Sequence, residues 1–266
     1  MMKIACAAWG FREMGLDEFF RAAKALGIGF VEVNCSGSVP KHLSPTASLD
    51  EARRMAELAS SLGVKVVALA AGNDFTVADE GRWREQVEAV KRVVDLAEAA
   101  GAEVVRIFAG WAKEATDDAF ERAARGIREV GEYAAGKGIM DAVENHGGIT
   151  ATGEMCAKLL DMAGDLPNVG LNYDPANFAH CGEDPLRALM AVGERVVYCH
   201  LKDVRRGPSG EPEYCALGEG EIDWGPIFER LRRFYRGYLA IEYERAEDVM
   251  EGTRRSLENL RKFLEV

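Results

Sequence analysis

The sequence lacks the features of several large protein classes. Its six cysteines include no pair at the C-x-x-C spacing, which argues against a thiolate zinc site, and a chain of 266 residues does not need disulfides to fold. Basic residues are not in excess, and the net charge of −11 argues against nucleic acid or an acidic membrane as partner. There is no apolar run near the ~18 residues of a membrane span and no signal-type leader. We therefore expect a cytoplasmic protein.

What the sequence does contain is a regular alternation of strand-like and helix-like segments. Apolar residues at helical spacing, as from Leu16 to Leu26, predict the helices, and glycine often follows them as the expected stop. Apolar runs predict strands near residues 3–8, 29–34, 64–70, 103–109, 139–145, 169–174, 196–202 and 238–243. Alternation alone also fits a doubly wound sheet. The count of eight, the position of the polar residues and a length near the ~250 residues of such folds favour a (β/α)8 TIM barrel, an α/β fold, as one domain over residues 1–266.

Four of the predicted strands end on a residue that can bind a hard metal ion. These residues are Glu144, Asp174, His200 and Glu242. A lone strand-end acid is usually a turn or cap residue, and a lone histidine is usually a hydrogen-bonded core residue. Four such residues at matching positions seldom arise by chance, and the carboxyl ends of barrel strands share the rim where active sites form. We therefore predict one divalent metal ion; Mn²⁺, Zn²⁺, Co²⁺ and Mg²⁺ all suit oxygen and imidazole ligands.

Strand alternation predicts further polar side chains in the barrel interior. Taking parity from Glu144 and its counterparts, Glu32, Arg106 and Lys202 also point inward. Unpaired buried charges are very costly, so a cation and a polar ligand are expected to neutralise the ring. We predict that all three bind substrate. The simpler alternatives are that Arg106 bridges Glu32 and Glu144 and that Lys202 pairs with Glu244.

Aromatic and imidazole side chains are predicted around the same rim. Trp9, Phe75, Trp111 and Trp224 fall near strand ends or in late loops, where they either form an apolar wall for a sugar or pack the loops. His146 follows Glu144 by two residues, so it either reaches substrate or orients the site. We predict substrate contacts for Trp9 and His146.

At these residues the chain resembles the sugar phosphate isomerase/epimerase superfamily, the xylose isomerase-like TIM barrels. The resemblance covers nearly the whole chain, and its most specific segments are VENHGG at 143–148, DPAN at 174–177, HLKD at 200–203 and IEYE at 241–244. It implies one metal ion held by the four strand-end residues. It also implies that Glu144 and Glu242 are catalytic and move a proton alpha to a substrate carbonyl through an enediolate.

The resemblance also carries two further substrate contacts and one departure. Ketose 3-epimerases of the superfamily have Asp-x-x-His after strand six, whereas this chain has Asp174 and Asn177. We therefore place an amide, Asn177, where those enzymes present an imidazole to substrate. Arg205 and Arg206 are both candidates for the family's arginine after strand seven, and we assign Arg206 to substrate binding.

Several functions are compatible with such a barrel. The prediction is a metal-dependent isomerase or epimerase that acts on a sugar or sugar derivative. The resemblance also implies a homo-oligomer. A dehydratase of the inosose or dehydroshikimate type is the main alternative, because it begins with the same proton abstraction. An apurinic-site endonuclease needs a histidine-rich three-metal cluster, which a chain with 4 histidines and net charge −11 does not favour. A non-catalytic sugar-binding barrel ranks last.

Overall fold

A computed structural model describes residues 2–207 and 210–265. Its strands are β1 (Lys3–Cys6), β2 (Phe30–Cys35), β3 (Lys65–Ala71), β4 (Val104–Phe108), β5 (Met140–Glu144), β6 (Val169–Tyr173), β7 (Val196–Leu201), β8 (Asp203–Arg206), β9 (Pro212–Cys215) and β10 (Tyr238–Ile241). Eight of them close a parallel barrel in the order β1-β10-β7-β6-β5-β4-β3-β2. The predicted TIM barrel is confirmed, and each predicted strand is present within two residues of its expected bounds.

Helices surround the barrel and connect its strands. They are α1 (Leu16–Ala25), α2 (Leu49–Ser61), α3 (Glu80–Ala100), α4 (Asp117–Ala135), α5 (Gly153–Ala163), α6 (Pro175–His180), α7 (Pro185–Val192), α8 (Trp224–Phe234) and α9 (Val249–Leu264). The side-chain oxygens of Ser48, Thr116 and Thr152 accept backbone N–H groups that would otherwise lack partners at the starts of α2, α4 and α5. Gly101 follows α3 with φ of 67°, a left-handed conformation that glycine adopts without strain.

The apolar core is divided by the barrel wall. The larger part packs the outward valines and leucines of the strands against the helices. A smaller cluster fills the barrel interior with Ala5, Ala68, Ala142, Ala240 and the ring of Tyr198. These interior residues lie below the strand ends, so they form an apolar floor under the polar side chains of the rim.

Two elements between the barrel strands were not predicted. Strands β8 and β9 form an antiparallel hairpin that follows β7. Helix α6 is a single short helix, which begins at Pro175 with Asp174 as its N-cap. The sequence gives little periodic signal for either, because a four-residue strand and a six-residue helix are too short to show one. Within residues 2–207 and 210–265, no helix has both the length and the apolar character that a bilayer crossing requires.

Candidate active site

The four predicted metal ligands lie together at the carboxyl end of the barrel. Glu144 ends β5, Asp174 follows β6, His200 lies on β7 and Glu242 follows β10. One ligand atom from each lies within 4.8 Å of those of the other three, and all four residues are buried. The strands bring together residues up to 98 positions apart, because each places its last inward side chain at the same level.

His200 is oriented by a carboxylate behind it. Its Nε2 lies 2.9 Å from Oε2 of Glu32, which favours the tautomer with the proton on Nε2. Among the described residues its Nδ1 has no hydrogen-bond partner; it lies 3.4 Å from Oε1 of Glu242 and 3.6 Å from Oε1 of Glu144. Burial alone would lower the pKa of His200, but the surrounding glutamates hold it well above its ordinary value. A cation at this point would take the place of that proton, since neutral imidazole is the ligand form.

The two glutamates are arranged alike, each between His200 and its own cation. Oε2 of Glu144 lies 3.1 Å from Nε of Arg106, and Oε2 of Glu242 lies 2.8 Å from Nζ of Lys202. Burial works to raise the pKa of Glu144, but the charges of Arg106 and His200 outweigh it and lower that pKa to about 2. Burial is likewise outweighed at Glu242, whose pKa His200 and Lys202 hold well below its ordinary value. Both carboxylates are therefore ionised at neutral pH.

Hydrogen bonds to its backbone and to one oxygen of its side chain fix the position of Asp174. Its Oδ1 accepts the backbone N–H groups of Ala176 and Asn177 at 3.0 and 3.1 Å. Its Oδ2 is ion-paired with Lys202, whose Nζ lies 3.0 Å away. The amide of Asn145 donates to the carbonyl of Asp174 at 2.9 Å and accepts its N–H at 2.8 Å. These two bonds fix the ends of β5 and β6 relative to each other. Burial raises the pKa of Asp174 to about 7, against the charge of Lys202.

This donor set fits a divalent metal ion. Three carboxylates and one imidazole converge, and Nδ1 of His200 has no hydrogen-bond partner among the described residues. Glu32 on the far nitrogen of His200 matches the carboxylate partner that metal-bound histidines usually have. Oxygen ligands with one imidazole are compatible with the four ions predicted, and the donor set does not distinguish them.

A cavity of about 590 Å³ opens above the cluster. Its volume lies in the range of small-molecule sites. One wall is aromatic: the ring of His146 meets Phe108 and Trp111 edge-on, each at 5.3 Å between centroids. Trp111 is 50% exposed, which is unusual for so large an apolar side chain and places it at the mouth. Trp9 contributes to the lining as well.

Most of the residues predicted to bind substrate line this cavity. They are Trp9, Glu32, Arg106, His146 and Lys202. Lys202 contacts Asp174, Glu242 and Glu244, so the predicted pairing with Glu244 is present in the structure. The alternative for Arg106 was a bridge between Glu32 and Glu144. In the structure Arg106 is ion-paired with Glu144, and its Nη1 donates to the carbonyl of Ala71 at 3.0 Å.

Two of the predicted substrate contacts lie elsewhere. Asn177 is buried outside the lining, and its amide donates to Oε1 of Glu144 at 3.2 Å and to the carbonyl of Asn145 at 3.0 Å. It is therefore placed to orient Glu144, because α6 turns its side chain toward the end of β5. Arg206 lies on β8 with a side chain 81% exposed, near Glu221, because the hairpin carries it away from the barrel mouth.

Of the four aromatic residues suggested as an apolar wall, two line the cavity and two do not. Trp9 and Trp111 line the cavity. Phe75 is fully buried in the core, and the indole N–H of Trp224 donates to Oδ2 of Asp203 at 2.7 Å. The loop-packing alternative therefore describes Phe75 and Trp224.

Several lining residues were not identified from the sequence. They include Ser36, Ser38, Asn73, Asp74, Gln86 and Tyr214. Asn73 and Asp74 directly follow β3, so the same strand-end reasoning would have found them. Tyr214 is carried to the cavity by the unpredicted hairpin, and its ring lies 5.0 Å from Nζ of Lys202.

Comparisons with known proteins agree with this geometry. The sequence model of the family described as "Xylose isomerase-like TIM barrel" matches residues 20–263. Among curated proteins, the inosose dehydratase of Clostridium perfringens is 31% identical over 144 residues. That match covers 48% of this chain and 48% of the relative, so the alignment spans about half the length of the curated protein.

Solved structures resemble the chain over almost its full length. An L-ribulose 3-epimerase superposes with a TM-score of 0.83 at 19% identity, covering 100% of this chain and 95% of that one. The IOLI protein with a bound zinc atom gives a TM-score of 0.81 at 19% identity, covering 98% of each chain. At these identities the structural similarity establishes the fold.

Proposed function

Because the chain belongs to the xylose isomerase-like TIM barrel family, we propose that it is a metal-dependent isomerase or epimerase of a sugar or sugar derivative. The observation that carries this proposal is the matched pair of glutamates. Each directs one oxygen toward the shared point beside Nδ1 of His200 and binds a separate cation through the other. Two ionised carboxylates at one cavity suit removal of a proton and its return.

Glu144, Asp174, His200 and Glu242 would hold the metal ion, and zinc in the IOLI protein supports a divalent cation here. When bound, the ion would supply Lewis acidity that acidifies the carbon next to a substrate carbonyl. Glu32 fixes the imidazole, and Asn177 and Arg106 hold Glu144. The chain thus orients every ligand before substrate enters.

In the proposed reaction one glutamate takes the proton alpha to the carbonyl, which leaves an enediolate. For epimerisation the other glutamate takes up a solvent proton and delivers it to the opposite face, and the first glutamate then releases its proton to water. For isomerisation the first glutamate returns its proton at the former carbonyl carbon, while the hydroxyl proton moves to the other enediolate oxygen. Arg106 and Lys202 stay hydrogen-bonded or ion-paired on the outer oxygens and keep both carboxylates ionised between turnovers. Trp111 and Trp9 line the cavity, where they would help to shield the intermediate from water.

The test is solvent isotope exchange. The metal-loaded protein is incubated in deuterated water with a panel of ketoses and cyclitol ketones. We expect at least one of these compounds to gain deuterium at the carbon alpha to its carbonyl. Glu144→Gln and Glu242→Gln should each lower the exchange rate by at least about 100-fold, the range expected for loss of a general base. Glu98→Gln, on the exposed outer surface of α3, is the matched control. Wild-type exchange by both active-site variants would refute the assignment.

Dehydration is the second candidate, and the inosose dehydratase relatives favour it. It starts with the same proton removal but then expels a hydroxyl group beta to the carbonyl. The two outcomes separate in one experiment: deuterium uptake with the substrate's mass otherwise unchanged supports epimerisation or isomerisation, and loss of water with a new conjugated carbonyl absorbance supports dehydration.

A further inference from the structure

We propose that the cavity selects uncharged, hydroxyl-rich carbonyl compounds and discriminates against substrates that carry a phosphate or carboxylate group. The inference rests on the proposed function for the carbonyl, but its charge argument depends only on the residues lining the cavity. It separates the two kinds of dehydratase substrate named above, because inosose is neutral and dehydroshikimate bears a carboxylate.

The fixed cations of the cavity lining are already engaged. Within the described chain these are Arg106 and Lys202. Arg106 binds Glu144 and the carbonyl of Ala71, and its guanidinium lies over the ring of Phe108 at 4.1 Å. Lys202 contacts three carboxylates within hydrogen-bond distance and has three N–H donors to give. Lys202 cannot turn to a phosphate without abandoning a buried carboxylate, which is costly, and the charge of Arg106 is already matched by the buried carboxylate of Glu144.

Carboxylates outnumber those cations around the cavity. The lining includes Glu32, Asp74, Glu144, Glu242 and Glu244. Asp174 adds a sixth carboxylate just beneath. A divalent cation on the four ligands, together with Arg106 and Lys202, still leaves an excess of negative charge in a partly desolvated site. An anionic group on the substrate would therefore be repelled, and with little water to screen the interaction the repulsion is strong.

The end of the cavity away from the metal ligands offers neutral hydrogen-bonding groups and one carboxylate. Asn34, Ser36 and Ser38 form a chain in which Oγ of Ser36 donates to Oδ1 of Asn34 at 2.7 Å. The hydrogen bonds that Asp74 accepts all use Oδ1, from the backbone N–H and hydroxyl of Thr76 and the backbone N–H of Trp111. Its Oδ2 is thus free of partners among the described residues. Such groups match the hydroxyls of a polyol, which donate as well as accept.

The experiment compares matched pairs of ligands on the metal-loaded protein by calorimetry. Each pair is a ketose or cyclitol ketone and its monophosphate, and the panel includes a cyclic ketone with and without a carboxylate. We expect at least one neutral compound to bind and its charged counterpart to bind at least tenfold more weakly, a difference of about 1.4 kcal/mol. Equal or tighter binding of the charged partners, or no binding by any neutral compound, would overturn the inference.

Two variants test where the discrimination arises. Asp74→Asn removes the free carboxylate without changing its shape, and Ser38→Lys adds an unengaged cation at the same end of the cavity. Both variants should reduce the difference in affinity between a neutral compound and its monophosphate. Ser61→Lys, on the exposed surface of α2, should leave that difference unchanged. If neither variant narrows it, the cavity charge is not the cause. Neutral preference in binding without deuterium exchange would refute the proposed function and leave this inference standing.

Discussion

At the scale of single residues, Glu32 controls which nitrogen of His200 faces the other ligands. The hydrogen bond at Nε2 leaves the Nδ1 lone pair directed at the cluster. Loss of such a partner typically weakens metal binding 10–100-fold. We therefore expect Glu32→Gln, which can leave the imidazole in the other tautomer, to weaken zinc binding by about 10–100-fold in competition with a chromophoric chelator.

The matched control for Glu32 is Glu57→Gln, on the outer helix α2. It should bind zinc as the wild type does. Zinc affinity unchanged in Glu32→Gln would mean that Glu32 acts on substrate alone, as the sequence first suggested.

Asp141 provides a prediction about pH and stability. By alternation from Ala142 it faces the helices rather than the cavity; it is fully buried, and neither oxygen has a hydrogen-bond partner among the described residues. Burial raises its pKa to about 8. In the unfolded chain its pKa is near 4, so between about pH 4 and pH 8 the folded state holds a proton that the unfolded state has lost. The contribution of Asp141 to stability is therefore greatest below about pH 4 and falls as the pH rises to about 8.

Asp141→Asn cannot ionise, so its free energy of unfolding should not fall in this way. From pH 6 to pH 8 we expect its stability relative to the wild type to increase by about 2 kcal/mol, or about 4–8 °C in Tm. Calorimetric melts across that range measure the difference. Asp165→Asn, at an exposed position after α5, should follow the wild type at every pH. A gap between wild type and Asp141→Asn that does not change with pH would contradict the assignment.

At the scale of elements, Asp203 joins the β8–β9 hairpin to the start of α8. It is fully buried and accepts the backbone N–H groups of Val204 and Gly218 at 2.8 and 2.9 Å and the indole of Trp224 at 2.7 Å. Removing a buried acceptor leaves its donors unsatisfied. Asp203→Ala should therefore destabilise the fold by about 3 kcal/mol, measured by urea unfolding.

The same variant should also disturb Tyr214, which the hairpin brings to the cavity. We expect weaker ligand binding with zinc affinity little changed, because Asp203 contacts none of the four metal ligands. Glu229→Ala, an exposed change on α8, is the control. Full stability of Asp203→Ala would show that the hairpin is held by other contacts.

The elements also show what could be predicted from the sequence and what could not. Apolar runs located the barrel strands, and alternation placed Glu144 and Arg106 correctly in the interior, because both properties follow from the local period of the chain. The contact between Asn177 and Glu144 depends on the direction of α6, and the position of Arg206 depends on the hairpin. Those directions are set by tertiary packing, which no local pattern encodes.

At the scale of the whole molecule, the metal site is expected to contribute to stability. A cation that binds only the folded chain at 100 times its Kd adds about 2.7 kcal/mol, equivalent to about 5–11 °C in Tm. Chelator treatment should lower Tm by that amount, and Zn²⁺ or Mn²⁺ should restore it. Asp174→Asn should melt at the same temperature with and without added metal; a metal-induced rise in that variant would place the ion elsewhere.

Asn145 sets a limit on how this site can be rebuilt. It is not among the residues that line the cavity, yet its amide fixes the backbone of Asp174 against the strand that carries Glu144. Copying the four ligands onto another barrel would transfer their chemistry but not their spacing. A designer grafting this centre must carry Asn145 together with the residues that orient the ligand side chains, although no ligand-based search would select it.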